Sequence, residues 1–252
     1  MSLALLLLLF PLVAVCYAMV GFGGGSSYLA LLAMSDLDHD LWRPIALICN
    51  LAVVSGGTWL YVKRGHFSGR LVAPFVVSSV PAAWIGGMIR LERTPFLYLL
   101  GGCLLLAGIR MLFDRRLKAQ NARKLEARLA WGWGLPVGAL LGGVSGLVGI
   151  GGGIFLAPIL YMLGWGTPKQ IAATSSAFIL VNSLAALGGY VADHGGLSLP
   201  ETVWVLPLAV LVAGQIGSRL GAGRLPAGVV RAMTAVLVLV VGTRTLWQAG
   251  LG

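Results

Sequence analysis

Val20-Gly21-Phe22-Gly23-Gly24-Gly25-Ser26-Ser27 decides the reading of this chain, because a second copy follows as Val148-Gly149-Ile150-Gly151-Gly152-Gly153-Ile154. Both copies interrupt long apolar stretches, at residues 3–34 and 131–163. Adjacent glycines each lower helix propensity by about 1 kcal/mol relative to alanine, so a run of three predicts a break. In hydrocarbon the freed N–H groups must find partners inside the protein or in a polar cavity. Where a helix restarts after the break, its dipole and orphan amides attract anions. Gly23, Gly24, Gly25, Ser26 and Ser27, with Gly151, Gly152 and Gly153, are therefore the first candidates for a binding site.

Composition sets the surroundings. The chain has 252 residues, of which 58% are hydrophobic and 10% charged, where a soluble domain carries about 25% charge. Mean hydropathy is +0.91, so the chain is an all-α, multi-pass membrane protein whose main partner is the lipid bilayer. In a soluble protein a net charge of +10 would suggest nucleic acid. Here the Lys and Arg residues lie mostly between apolar segments, which the positive-inside bias explains without nucleic acid. Cys16, Cys49 and Cys103 fall within apolar runs and read as small core residues, not as a disulfide set or a metal site. No cofactor is implied. Residues 1–18 lack a basic n-region and a small-x-small cleavage site, and their pattern recurs ahead of Gly149, so they read as a retained segment.

Apolar segments occupy residues 3–34, 41–62, 71–89, 96–113, 131–163, 171–192, 202–220 and 229–247. Six have the length of about 20 residues that a spanning helix needs; the first and fifth are longer and broken by glycines. The order of Gly21–Gly25, Asn50, Gly56-Gly57, Ile85-Gly86 and Pro95 recurs as Gly149–Gly153, Asn182, Gly188-Gly189, Ile216-Gly217 and Pro226. That repetition predicts two homologous halves, residues 1–113 and 131–252, joined by a basic cytoplasmic linker at 114–130. Lys/Arg placement then sets orientation. If each broken segment turns back to the side it entered, Lys63, Arg64, Arg70, Lys169, Arg219, Arg224 and Arg231 fall inside, and the acidic loop Asp36-Leu37-Asp38-His39-Asp40 falls outside. Arg90 and Arg93 go against the pattern. Each half becomes a Gly-broken, hairpin-like segment plus three transmembrane helices. Three is odd, so the halves form inverted repeats, an architecture of many secondary transporters.

Other motifs read more plainly. Gly134, Gly138, Gly142 and Gly146 make a small-residue stripe for helix packing. Neither glycine run completes G-x-G-x-x-G or has a βαβ context, which excludes a dinucleotide fingerprint. Asn50 and Asn182 sit mid-segment, each either a helix–helix hydrogen bond or a substrate contact, and Thr174 and Ser175 add hydroxyl donors. All eight acids lie at segment ends or in loops, so a cation finds no countercharge at depth, whereas an anion needs only N–H and O–H donors. Gly143-Val144-Ser145-Gly146 looks like the G-x-S-G of rhomboid intramembrane proteases. That chemistry needs a His base, and His39, His66 and His194 all lie at segment ends. The chain therefore reads as a non-enzyme; the alternatives are such a protease and a non-transporting membrane scaffold.

The doubled VGFGGGSS and VGIGGGIFLAPIL, with PAAWIGG at residues 81–87 and AATSS at 172–176, resemble the TauE/SafE sulfite exporter family over nearly the whole chain. The resemblance implies a bacterial inner-membrane permease for sulfite, an organosulfonate or a related small anion; the sequence leaves the oligomeric state open, a homodimer included. Cys49 stands where the family often has Thr before Asn.

Overall fold

A computed structural model describes residues 3–32, 35, 37–89, 98, 101, 102, 105, 109, 127–197 and 199–250. The described residues are helical: α1 (Leu3–Ala18), α2 (Gly25–Leu32), α3 (His39–Lys63), α4 (Gly69–Met88), α5 (Ala127–Val148), α6 (Gly153–Leu163), α7 (Pro168–His194), α8 (Val205–Arg219) and α9 (Ala227–Gly250). The expected span at 96–113 lies largely, and the linker at 114–126 wholly, outside the described residues, while 127–130 form the first turn of α5. Among the described residues, α3, α4, α5, α7 and the helical run through α8 are long and apolar enough to cross a membrane. Large side chains such as Leu8, Leu12, Leu140, Leu208 and Val212 are exposed, as a lipid-facing surface requires. Trp59, with the Lys63 ammonium 5.0 Å from its ring centroid, and Trp131 and Trp133 stand near helix ends, as interfacial anchors do.

Both long apolar stretches are broken where their glycines fall. α1 stops at Ala18 and α2 starts at Gly25; α5 stops at Val148 and α6 starts at Gly153. The chain doubles back at each break. A Cβ on Gly24 would lie 3.0 Å from Val13, and Tyr28 stacks on Phe10 with centroids 4.5 Å apart. Advancing along α2 thus means retreating along α1. At the second break Gly152 returns to the level of Leu141 and Ser145, inside the last two turns of α5. Gly152 itself caps α6 with φ 74° and ψ −15°, a left-handed conformation that glycine adopts at no steric cost.

The expected glycine stripe packs α5 on α4. Gly134, Gly138, Gly142 and Gly146 lie against the backbone of Pro74, Phe75, Ser79 and Ala83; a methyl at any of them would overlap α4. Contacts between the halves are reciprocal. Gly86 on α4 meets Gly143 on α5, and its sequence counterpart Gly217 on α8 meets Val15 on α1. Gly188 meets Trp84 while Gly56 meets Gln215, and Gly189 approaches Gly87 while Gly57 approaches Ser218. α4 therefore closes on α5, and α8 on α1. α3 and α7 cross between them, joined by the hydroxyls of Thr58 and Ser176 at 3.0 Å.

Candidate functional site

The two breaks converge on one side chain. Asn50 is fully buried, and its carboxamide lies against Gly23 and 2.5 Å from a Cβ placed on Gly25. The same Nδ2 is 3.3 Å from a Cβ placed on Gly151, in the other break. Neither Oδ1 nor Nδ2 of Asn50 has a hydrogen-bond partner. A buried amide without partners costs on the order of 1–3 kcal/mol, so such an arrangement points to something that satisfies it.

Backbone donors surround it. α2 begins with Ser27 and Tyr28 donating to the Gly24 carbonyl, both at 3.0 Å, and α6 with Phe155 and Leu156 donating to the Gly152 carbonyl, at 3.1 and 3.3 Å. The amides of residues 23–26 and 151–154 have no hydrogen-bond partner among the described residues. Each helix start thus presents the unpaired N–H groups and positive dipole end that the sequence predicted.

The remaining candidates divide into two sets. Ser26 Oγ and Ser175 Oγ are buried without partners, and the Ser175 carbonyl is 2.7 Å from a Cβ placed on Gly153. Ser27 is committed to the Tyr17 hydroxyl at 2.8 Å. Thr174 is buried with Oγ1 unpartnered, but it is not among the nearest neighbours of either glycine run, and neither is Asn182. The Asn182 amide donates to the Phe178 carbonyl one turn back at 2.8 Å, leaving only Oδ1 unpartnered. Against the breaks, the place Asn50 takes in the first half is taken in the second by Ile179, beside Gly151 and Gly153.

Four polar groups not chosen from the sequence also face the breaks. Ser183 Oγ is 2.8 Å from a Cβ placed on Gly151, Ser145 Cβ is 3.1 Å from one on Gly152, and Tyr28 OH is 3.0 Å from one on Gly24. All three hydroxyls are buried and unpartnered. The fourth is Arg43, whose Cγ is 2.8 Å from a Cβ placed on Gly149. Ser145 precedes a stripe glycine by one residue, which turns it about 100° away from α4 and toward the break. His66 meets the Ala222 carbonyl and His194 the Tyr190 carbonyl, so neither serves Ser145 as a base; the His39 side chain lies outside the described residues. No group of three metal-ligating side chains occurs among the described residues. Cys16 and Cys49 are free thiols; Cys103 lies outside the described residues.

A multi-pass helical membrane protein with two interrupted helices meeting at buried, unpaired polar groups has the form of a transporter. Residues 6–245 match the family described as sulfite exporter TauE/SafE. The chain is 36% identical over 238 residues, 94% of its length, to the "Probable membrane transporter protein y4hK" of Sinorhizobium fredii (strain NBRC 101917 / NGR234), 96% of which is covered. It is 32% identical over 129 residues, 45% of its length, to "Sulfite exporter TauE/SafE family protein 1" of Arabidopsis thaliana, of which 27% is covered. No solved structure matches significantly. The chain belongs to the TauE/SafE family and is a membrane transporter.

Proposed function

We propose that this transporter carries a small anion, sulfite or an organosulfonate, by alternating access at one site shared by both glycine breaks. The observation that carries the reading is Asn50, buried and unpartnered between Gly23, Gly25 and Gly151. The amides of residues 23–26 and 151–154 and the dipoles of α2 and α6 are the anion's electrostatic partners. Ser26, Ser175, Ser183 and Asn50 orient its oxygens. Thr174 and Asn182 act from the same helix, α7, on the approach to the site, and Ser27 holds Tyr17 in place beside it.

We further propose that residues 1–113 and 131–252 are inverted repeats joined by a cytoplasmic linker at 114–130, in a bacterial inner membrane. The reciprocal packing of α4 on α5 and α8 on α1 supports a two-fold relation between the halves. The doubling-back at each break leaves an odd number of full spans per half in the sequence reading. With an inside-negative potential, moving one negative charge outward is downhill by about 2.3 kcal/mol per 100 mV, so export needs no coupling ion.

Proteoliposome flux and thermal shifts with sulfite, sulfate, thiosulfate, sulfonates and small carboxylates test the substrate class. Sulfite or a sulfonate is expected to shift the melting temperature and to be transported; a protein that responds to no member of the panel contradicts the reading. Single cysteines at positions 37 and 197 test the topology, with labelling expected only from outside.

A further inference from the structure

Arg43 lies on the second turn of α3, where a lysine or arginine ordinarily reads as an interfacial charge. Its side chain turns inward instead. Nη2 donates to the carbonyls of Gly86 at 2.7 Å and Gly87 at 2.8 Å, and also to that of Gly146; Nη1 donates to Ile89 at 3.2 Å. Gly86 and Gly87 belong to the last turn of α4, and Gly146 to the last turn of α5. One guanidinium therefore gathers the carbonyl ends of two helices, where the Gly86 carbonyl also accepts from the Ile89 amide at 3.3 Å. Each such end carries about half a negative charge. Asp193, at the end of α7, lies within electrostatic range as well.

The second break follows directly from α5, so an anion at residues 151–153 sits beside that negative helix end. The first break has no such difficulty. There the terminal carbonyls of Tyr17 and Ala18 are taken up by the chain's own amides, from Val20, Gly21 and Phe22 at 2.9–3.2 Å. After α5 the corresponding bond is a single one, from Gly149 to the Ser145 carbonyl at 2.8 Å. We propose that Arg43 is a positioning residue for the anion site: it caps the ends of α4 and α5 and cancels their negative potential at the second break. The planar fork of arginine reaches four carbonyls at once, which an ammonium does not.

This inference rests on the anion site proposed above. Its test is sulfite uptake in proteoliposomes by wild type, R43K and R43Q, each with a melting temperature. Loss of the charge is expected to raise the KM for sulfite about tenfold in R43Q, the effect of uncapping two helix ends, with kcat within about twofold. R43K, keeping the charge, is expected to stay within about threefold of wild type although it loses carbonyl contacts. Equal rises in KM for R43K and R43Q, or no rise in either, overturn the proposal. Wild type that moves no sulfite or sulfonate instead overturns the anion site itself. Should R43Q not fold, Ile89, whose side chain is 46% exposed and whose carbonyl already binds Arg43, gives a second variant. I89E places a carboxylate beside the guanidinium and is expected to raise KM several-fold over I89Q; equal values for the two contradict the cap.

Discussion

The first and second glycine breaks come from one repeated sequence but are finished differently. The first closes on itself: α1 is capped by its own following amides, and hydroxyls from Tyr17, Ser26, Ser27 and Tyr28 crowd around it. Asn50 of α3 joins them, whereas the second break has Ser145 from its own α5 and draws Ser175 and Ser183 from α7 and Arg43 from α3. Where the first break has Ser27 and Tyr28, the second has Phe155 and Leu156. Both breaks thus share the backbone device, a left-handed glycine before a helix start, while the side chains around them differ. Under the proposed anion site, the backbone amides do the common work and the side chains tune it.

The largest effects are expected where the shared device is destroyed. G152L forces a branched side chain into the left-handed region, and its Cβ would meet Phe178 at 2.9 Å. Strain of about 1–3 kcal/mol, added to the overlap, is expected to abolish sulfite flux in proteoliposomes. G24L, at φ 95°, is expected to do the same, and an effect confined to one of them would break the equivalence of the breaks. Next comes the side chain between them. N50A is expected to lower sulfite affinity about tenfold, the weight of a charge-assisted bond, measured by titration calorimetry. N182A is expected to change it less, because that amide is spent on the Phe178 carbonyl.

A third comparison separates site glycines from packing glycines. In G142A the new methyl would sit 2.5 Å from Ser79 Cα, and overpacking of about 1–3 kcal/mol is expected to lower the melting temperature while leaving the KM for sulfite unchanged. The smallest effect is expected from Y17F. It deletes the hydrogen bond to Ser27 and is expected to cost about 1 kcal/mol of stability, read as a shift of the unfolding midpoint, with little change in transport.

Much of this was legible in the sequence. Glycine triplets within apolar segments predicted both breaks, because three adjacent residues of low propensity cannot be absorbed by packing. The stripe at Gly134, Gly138, Gly142 and Gly146 predicted a close helix contact, and α4 supplies it. Asn50 and Asn182 pair only by aligning Gly56-Gly57 with Gly188-Gly189. Between break and glycine pair, α7 runs nearly one turn longer than α3, so Ile179 faces the second break where Asn50 faces the first. An added turn leaves the hydrophobic face unchanged, so periodicity does not register it. Arg43 carries no sequence signal of its own, because a basic residue near the start of a span fits ordinary charge placement. Ser145 stands one residue from the stripe glycine Gly146, and that residue of helix turns it about 100° from α4 toward the break. Nothing local distinguishes these side chains; only the docking of α4, α5 and α7 around them does.

Titration of the purified protein with sulfite tests the central claim most directly. One anion bound per chain, weakened alike by N50A, G24A and G152A, is the result expected if both breaks serve a single site. Two independent sites, or one site indifferent to N50A, would contradict it.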